Sequence, residues 1–244
     1  MKYKVPRPII GQELLHIVHR EIKKQEIPIA RISKRNLKEL ADVSQAIEKH
    51  GIPKYLVCKK LGHGLGRGIF LHPKARPILR GQIIASYAGE ISITPQHEPD
   101  DGSYAFAPLE RFYLNKKEQA LFDKKKAYHP RRLYSLKLDA FKRGNFTRFI
   151  NHSERPNIFA DTLKIPTNSF GLVPTPIEII YVAKKTIHPG EQLLISYEDG
   201  EKSYWHASKI KPFPMTPKTF SLSSSLQLKT IKTIAKVFAS KISF

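Results

Sequence analysis

The chain has 244 residues, 41% of them apolar, and a formal net charge of +21 from 42 Lys plus Arg against 21 Asp plus Glu. That is room for one compact domain with extensions or two small ones, with enough apolar residues for a real core. A single cysteine, Cys58, excludes an internal disulfide and any multi-cysteine zinc site, while the charge favours polyanions (nucleic acid or an acidic membrane surface) without naming a chemistry.

Residues 1–54 read as a helical region. The run from Glu13 to Ile22 carries apolar residues on one face. A second helix is better marked: Asn36 is its expected cap, with Glu39 three residues on as in a capping box, and Leu37, Leu40, Val43 and Ile47 form its stripe. Gly51 followed by Pro53 stops it. These stripes need a partner, either the next domain or a second copy of the chain in a homodimer.

From 55 to 205 the texture changes to short β-like runs separated by Gly, Pro and Asn. Gln82–Tyr87, Ile177–Val182 and Gln192–Tyr197 are the clearest strands. Residues 92–134 form a polar, lysine-rich insert with one helical piece near Lys116–Lys126. Within 62–68 a glycine occupies every second position, a loop whose backbone can approach a ligand closely. It is neither a GxGxxG fingerprint, because Arg67 stands where the last glycine belongs, nor a P-loop. From 206 to 244 come a linker with prolines at 212, 214 and 217 and a basic amphipathic helix around Leu228–Phe238. That helix suits docking on its own domain, a partner or an anionic membrane. No run of 18 or more apolar residues exists, so no membrane span is expected, and the N-terminus lacks the apolar core of a secretory signal.

Asn145 to Asn157 crowds Asn, His, Ser, Arg and Pro into an apolar run, so Asn151-His152 needs partners for its polar atoms, in a structural turn or on a polar ligand. Metal binding fits poorly, since one histidine without nearby Cys or His makes no site. Here Arg148-Phe149-Ile150-Asn151-His152-Ser153, followed by Pro156-Asn157, resembles the signature of SET-domain lysine methyltransferases. Gly190-Glu191-Gln192-Leu193 through Tyr197 is similar to the family's Gly-Glu-Glu-Leu-x-x-x-Tyr. Gly66-Arg67-Gly68-Ile69-Phe70 resembles its first cofactor loop, Ser86-Tyr87-Ala88-Gly89-Glu90 its Tyr-x-Gly-Glu strand and Tyr104-Ala105-Phe106 its Tyr-x-Phe strand. The segments occur in the family's order.

The resemblance implies a mainly β SET-domain fold of small sheets with a knot-like crossing, plus the N-terminal helices. It implies that Leu65, Gly66, Arg67 and Gly68, with Ser86 and Tyr87, cradle S-adenosylmethionine, later released as S-adenosylhomocysteine. Arg148, Phe149, Asn151 and His152 form the other side, the Asn-His pair holding the adenine and amino-acid ends. Tyr197 is the implied catalytic tyrosine and Tyr104 a channel wall. Departures sharpen the expectation. With no cysteine modules to close the channel, Tyr204-Trp205 is the natural substitute, adding Trp205 to the cofactor site; an ordinary core tryptophan is the rival reading. The position two before the catalytic tyrosine, often aromatic in the family, is Ile195 here, and an aliphatic residue that holds no water points to more than one methylation.

The substrate the resemblance implies is a histone or histone-like protein. A chain of charge +21 should repel a bare basic tail, a conflict that eases if the substrate is bound to DNA. Compact zinc-free members, including chlamydia-like ones, imply a soluble enzyme of a bacterial cytoplasm or one secreted into a host cell and directed to its nucleus. The rival function is a non-enzymatic SET-like module that binds protein or nucleic acid.

Overall fold

The computed structural model describes residues 4–62, 64–96, 104–124, 127–166, 168–197 and 213–222. Tyr204, Trp205 and the basic helix expected around 228–238 lie outside the described residues. The described chain is mainly β, in small sheets, with three helices, as expected.

α1 (Gln12–Lys24) buries Leu14, Ile17 and Val18, and its Glu13 at the start and Lys23 and Lys24 at the end complement the helix dipole. α2 (Lys34–His50) buries Leu40, Val43 and Ile47. Its cap is not Asn36: the Asn36 backbone N–H donates to Ser33 Oγ at 3.1 Å, and Glu39 pairs with Arg35 at 3.0 Å instead of reaching back to the cap. Lys34 and Arg35 are good helix formers, so the helix begins earlier and Ser33 becomes the acceptor. Gly51 closes the helix at φ 82°, as its position predicts.

The described residues divide into two compact units interleaved along the chain. The first holds residues up to Gly51, Ile84–Arg148 and Asp161–Ile180; the second holds Ile52–Ile83, Phe149–Ala160 and the described residues from Tyr181 onward. β3 (Ile83–Ser86), β9 (Thr175–Ala183) and β8 (Ile158–Ile165) pair in that order.

In the first unit β4 (Glu90–Pro95), β6 (Leu133–Asp139) and β5 (Ala105–Tyr113) form an antiparallel sheet in that order. β6 alternates, burying Tyr134, Leu136 and Leu138 on one face. β5 shifts register twice, and Arg111 takes φ 57° at the second shift. α1 lies against β5. Arg20 and Gln25 side chains donate to the carbonyls of Tyr113 and Glu110 at 3.3 and 3.0 Å, covering edge groups that would otherwise be open. α3 (Lys116–Phe122) starts with a full capping box between Asn115 and Glu118. The polar stretch 92–134 therefore supplies β5, α3 and parts of β4 and β6 rather than a separate excursion.

The N-terminal segment is tied into this unit. Val5 N–H donates to Gly144 O at 3.1 Å, Ile9 N–H to Gly89 O at 2.8 Å, and Arg7 forks onto the buried Glu178 carboxylate with a closest approach of 2.7 Å. Gly89 must be glycine, since a Cβ there would stand 2.3 Å from the Asp139 carbonyl oxygen.

The second unit holds the antiparallel hairpin β1 (Leu56–Lys60) and β2 (Arg67–Leu71), and a short parallel pair, β7 (Asn151–His152) with β10 (Leu194–Ile195). Its core includes Leu61, Phe70, Leu194 and Met215, with Leu65, Phe213, Phe220 and Leu222 packed against them. Phe213–Leu222, expected as part of a linker, is thus a folded strap: Leu222 N–H donates to Gly190 O at 2.8 Å, and Pro217 O accepts from Gln192 N–H at 2.9 Å. Met215 is buried in it, while Phe213, Phe220 and Leu222 are partly buried.

Candidate functional site

The residues singled out in the sequence fall into two sets, one in each unit.

In the first unit, Ser86 is fully buried and its hydroxyl lies 3.4 Å from the Ile179 carbonyl, while its own carbonyl accepts from Asn145 Nδ2 at 2.9 Å. Tyr87 is buried beside it. Its N–H donates to Ile179 O at 2.8 Å, its hydroxyl to the Tyr104 carbonyl at 2.7 Å, and its ring meets Phe106 edge-on at 4.7 Å. Asn145 Oδ1 takes both the N–H and the hydroxyl of Thr147, at 3.0 and 2.6 Å. That fixes the 3-10 turn Phe146–Phe149 and aims Arg148. The Arg148 guanidinium donates to the carbonyls of Ala140 and Phe141 at 2.6 and 2.8 Å and lies 3.9 Å above the Tyr104 ring. Ser86, Tyr87, Tyr104 and Arg148 are therefore one assembly of aromatic rings under a buried cation.

In the second unit the loop between β1 and β2 turns through Gly64 at φ 73° and Gly66 at φ 68°, a backbone that strains any other residue. Its closing bond runs from Leu61 N–H to Gly66 O at 2.8 Å. Among the described residues nothing stands within 4 Å of the place a Cβ would take at either glycine. The Arg67 guanidinium lies 5.8 Å from the Phe149 ring centre. Asn151 Nδ2 donates to Arg67 O at 2.7 Å and sits 3.4 Å from Phe149 O, joining the loop to β7.

Tyr197 follows β10 and is held at both ends. Its backbone N–H donates to His152 Nδ1 at 2.9 Å, and its hydroxyl donates to the Ile150 carbonyl at 2.7 Å. An accepting Nδ1 puts the proton of a neutral imidazole on Nε2. The two rings lie 5.5 Å apart, and Tyr197 stays 41% exposed although both its polar groups are engaged. The Asn151 amide and His152 Nδ1, expected to hold a ligand, make these contacts to the chain's own backbone.

Asn157 is a working residue that its place in the motif did not explain. Fully buried, it donates from Nδ2 to Gln192 O and accepts at Oδ1 from Leu194 N–H, both at 2.8 Å. A buried Asn beside a short strand is the signal that could have shown it. Ser153 adds its N–H to Ile195 O at 2.8 Å, and its hydroxyl donates to the Met215 carbonyl of the strap.

A family model described as "SET domain" matches residues 66–198. The chain belongs to the SET-domain family. Among solved structures, ATXR5 in complex with mono-methylated histone H3.1 superposes with a TM-score of 0.55 at 17% identity, over 82% of this chain and 82% of that one. The ATXR5 SET domain in complex with di-methylated histone H3 gives 0.50 at 19% identity, over 73% and 74%. SUVH6 from Arabidopsis thaliana in complex with SAM gives 0.40 at 24% identity, over 62% and 28%. The ATXR5 likenesses speak for the SET fold alone. No curated protein sequence matches the chain. Among the described residues no helix is long and apolar enough to cross a membrane, and no cluster of His, Cys, Asp and Glu is placed to hold a metal ion.

Proposed function

We propose that this SET protein is a protein-lysine N-methyltransferase that uses S-adenosylmethionine. The observation that carries the reading is Tyr197, a half-exposed tyrosine whose hydroxyl is fixed on the Ile150 carbonyl and whose backbone is fixed on His152.

The cofactor fits the residues present. Among the described residues nothing crowds the glycine loop at Gly64 or Gly66, and its shape is kept by Asn151. Leu65 to Gly68 and the backbone of Phe149 to His152, all in the second unit, would hold it. When bound, it supplies an electrophilic methyl group on a sulfonium. This chain's residues align the acceptor and keep water away, the main demands of an in-line displacement. The lysine must also lose a proton: from a free pKa of about 10.4, reaching the neutral form at pH 7 costs about 4.6 kcal/mol. An apolar, aromatic surrounding would lower that cost by disfavouring the charged amine. The Tyr197 hydroxyl, already directed by its backbone partner, orients the amine.

Ile195 is buried in β10, opposite His152. An aliphatic side chain there holds no water against the amine, which favours products beyond monomethyl-lysine; mass spectra with only monomethyl product under enzyme excess would sink that point. The substrate we favour is a histone or histone-like protein held on DNA, since a polyanion draws both basic partners together. Turnover on such a complex should then fall steeply with salt.

The deciding experiment is transfer of a tritiated methyl group onto histones and a bacterial lysate, comparing wild type with Tyr197→Phe and Asn151→Ala. Tyr197→Phe removes the oriented hydroxyl and should slow labelling roughly 100-fold. Asn151→Ala should loosen the glycine loop and weaken cofactor binding. Labelling unaffected by either change overturns the assignment, and the absence of both labelling and calorimetric heat with the cofactor favours a non-enzymatic binding module.

A further inference from the structure

Gln192 is fully buried, yet among the described residues neither its Nε2 nor its Oε1 has a hydrogen-bond partner. Its backbone is held on both sides. The N–H donates to Pro217 O of the strap at 2.9 Å, and the carbonyl accepts from Asn157 Nδ2 at 2.8 Å. Gln192 stands opposite Phe70 of β2 in an antiparallel bridge. Residues two apart on a strand share a face, so its side chain reaches diagonally to Gly68. A Cβ built at Gly68 would lie 2.6 Å from Gln192 Nε2, nearer than the 3.2 Å to the Leu61 and Phe70 side chains. The amide thus occupies the space that a side chain at Gly68 would take. All of these residues belong to the second unit.

The arrangement is costly in the unliganded chain. An amide taken out of water without partners loses the hydration of two donors and an acceptor. An apolar side chain of the same length would fill the space without that loss. A buried polar group that the resting fold leaves unsatisfied is the kind of strain that functional sites store. What the amide touches points to the state that uses it. Gly68 ends the glycine run, two residues beyond Gly66, whose φ of 68° and bond to Leu61 shape the loop. It is one residue beyond Arg67, whose carbonyl Asn151 holds.

We propose that Gln192 is a positioning residue of the cofactor site: its amide forms hydrogen bonds with peptide groups of the glycine loop when the loop settles on S-adenosylmethionine. The inference rests on the reading of that loop as the cofactor's cradle. Gln192 acts through Gly68 and does not touch the cofactor. Part of the stabilisation on binding comes from an amide that is unsatisfied beforehand. Because the strap and Asn157 fix its backbone, the amide meets the loop from a rigid base.

The test uses the full chain, unliganded and titrated with S-adenosylhomocysteine. Gln192→Met keeps the length of the side chain and removes both polar ends. Its urea midpoint without ligand should equal or exceed that of wild type, because no amide is left buried and unsatisfied. Calorimetry should show S-adenosylhomocysteine binding about tenfold more weakly, which corresponds to about 1.4 kcal/mol. In tritiated methyl transfer the defect should fall on KM for S-adenosylmethionine rather than on kcat. Gly68→Ala sets a methyl group against the amide and should also weaken binding. When Gly68→Ala is combined with Gln192→Ala, which clears that space, the combined loss should fall short of the sum of the two. Strictly additive losses, or a Gln192→Met chain that binds S-adenosylhomocysteine as tightly as wild type or is less stable without it, overturn this proposal and leave the methyltransferase reading standing. A wild-type chain that gives no heat with S-adenosylhomocysteine or S-adenosylmethionine overturns that reading and the present one with it.

Discussion

Around Tyr104 the protein is built with charge, and around β7 and β10 largely with side-chain amides. In the first unit the Arg148 guanidinium is suspended between two carbonyls and an aromatic face, on a loop tied to an N-terminal segment that Arg7 bolts to buried Glu178. In the second unit Asn151, His152 and Asn157 hold strand, loop and tyrosine through hydrogen bonds to backbone groups. The difference has a physical meaning. A charged clamp is strong but depends on every partner being present, because a lone buried ion is costly. The amide clamps of Asn151 and Asn157 are individually weaker, do not titrate, and fail one bond at a time.

Breaking the charged side should have the largest effect. Arg7→Ala leaves Glu178 buried without its cation and should cost about 3–5 kcal/mol, read as a lower urea midpoint. Arg7→Lys should recover only part, since a point charge cannot reproduce the fork. On the amide side, Asn157→Ala orphans the buried Leu194 N–H and Gln192 carbonyl, a loss of about 3 kcal/mol, with faster hydrogen exchange at Leu194. If Asn157→Ala proves as costly as Arg7→Ala, the contrast between the two units falls.

The smallest expected effect sharpens the contrast through pH. Burial of Glu118 would raise its carboxyl pKa, but hydrogen bonds from Arg20 and from the Asn115 backbone outweigh it and hold the pKa below the usual carboxylate value. A depressed pKa contributes stability that is present above the unfolded carboxylate value of about 4.3 and is lost as the pH falls through the lower, folded value. Melting temperatures followed below pH 5 should therefore drop less in Glu118→Gln than in wild type. Protection of the Leu194 amide, held by Asn157, which does not titrate, should be the last to change.

The family was legible because the SET segments announce themselves as residues in order, and the family model matches residues 66–198. The uses of the side chains were not legible. Asn151 spends its amide on Arg67, and His152 its Nδ1 on Tyr197, partners far away in sequence. The α2 cap was misplaced because Ser33 and Asn36 are both good caps and only the backbone decides between them. The strap was read as a linker because its prolines are conspicuous, while Phe213, Met215, Phe220 and Leu222 follow no helical or strand period.

The strap has a bearing on how the chain comes to be folded. Leu222 is bonded to Gly190, Pro217 to Gln192 and Met215 to Ser153, so the core around Phe70 is assembled from stretches that leave the ribosome at widely separated times. Such non-local closure is slow, because loop entropy is lost before contacts repay it. Until the strap has been synthesised, Phe70 and Leu194 lack the part of their packing that Met215, Phe213, Phe220 and Leu222 supply.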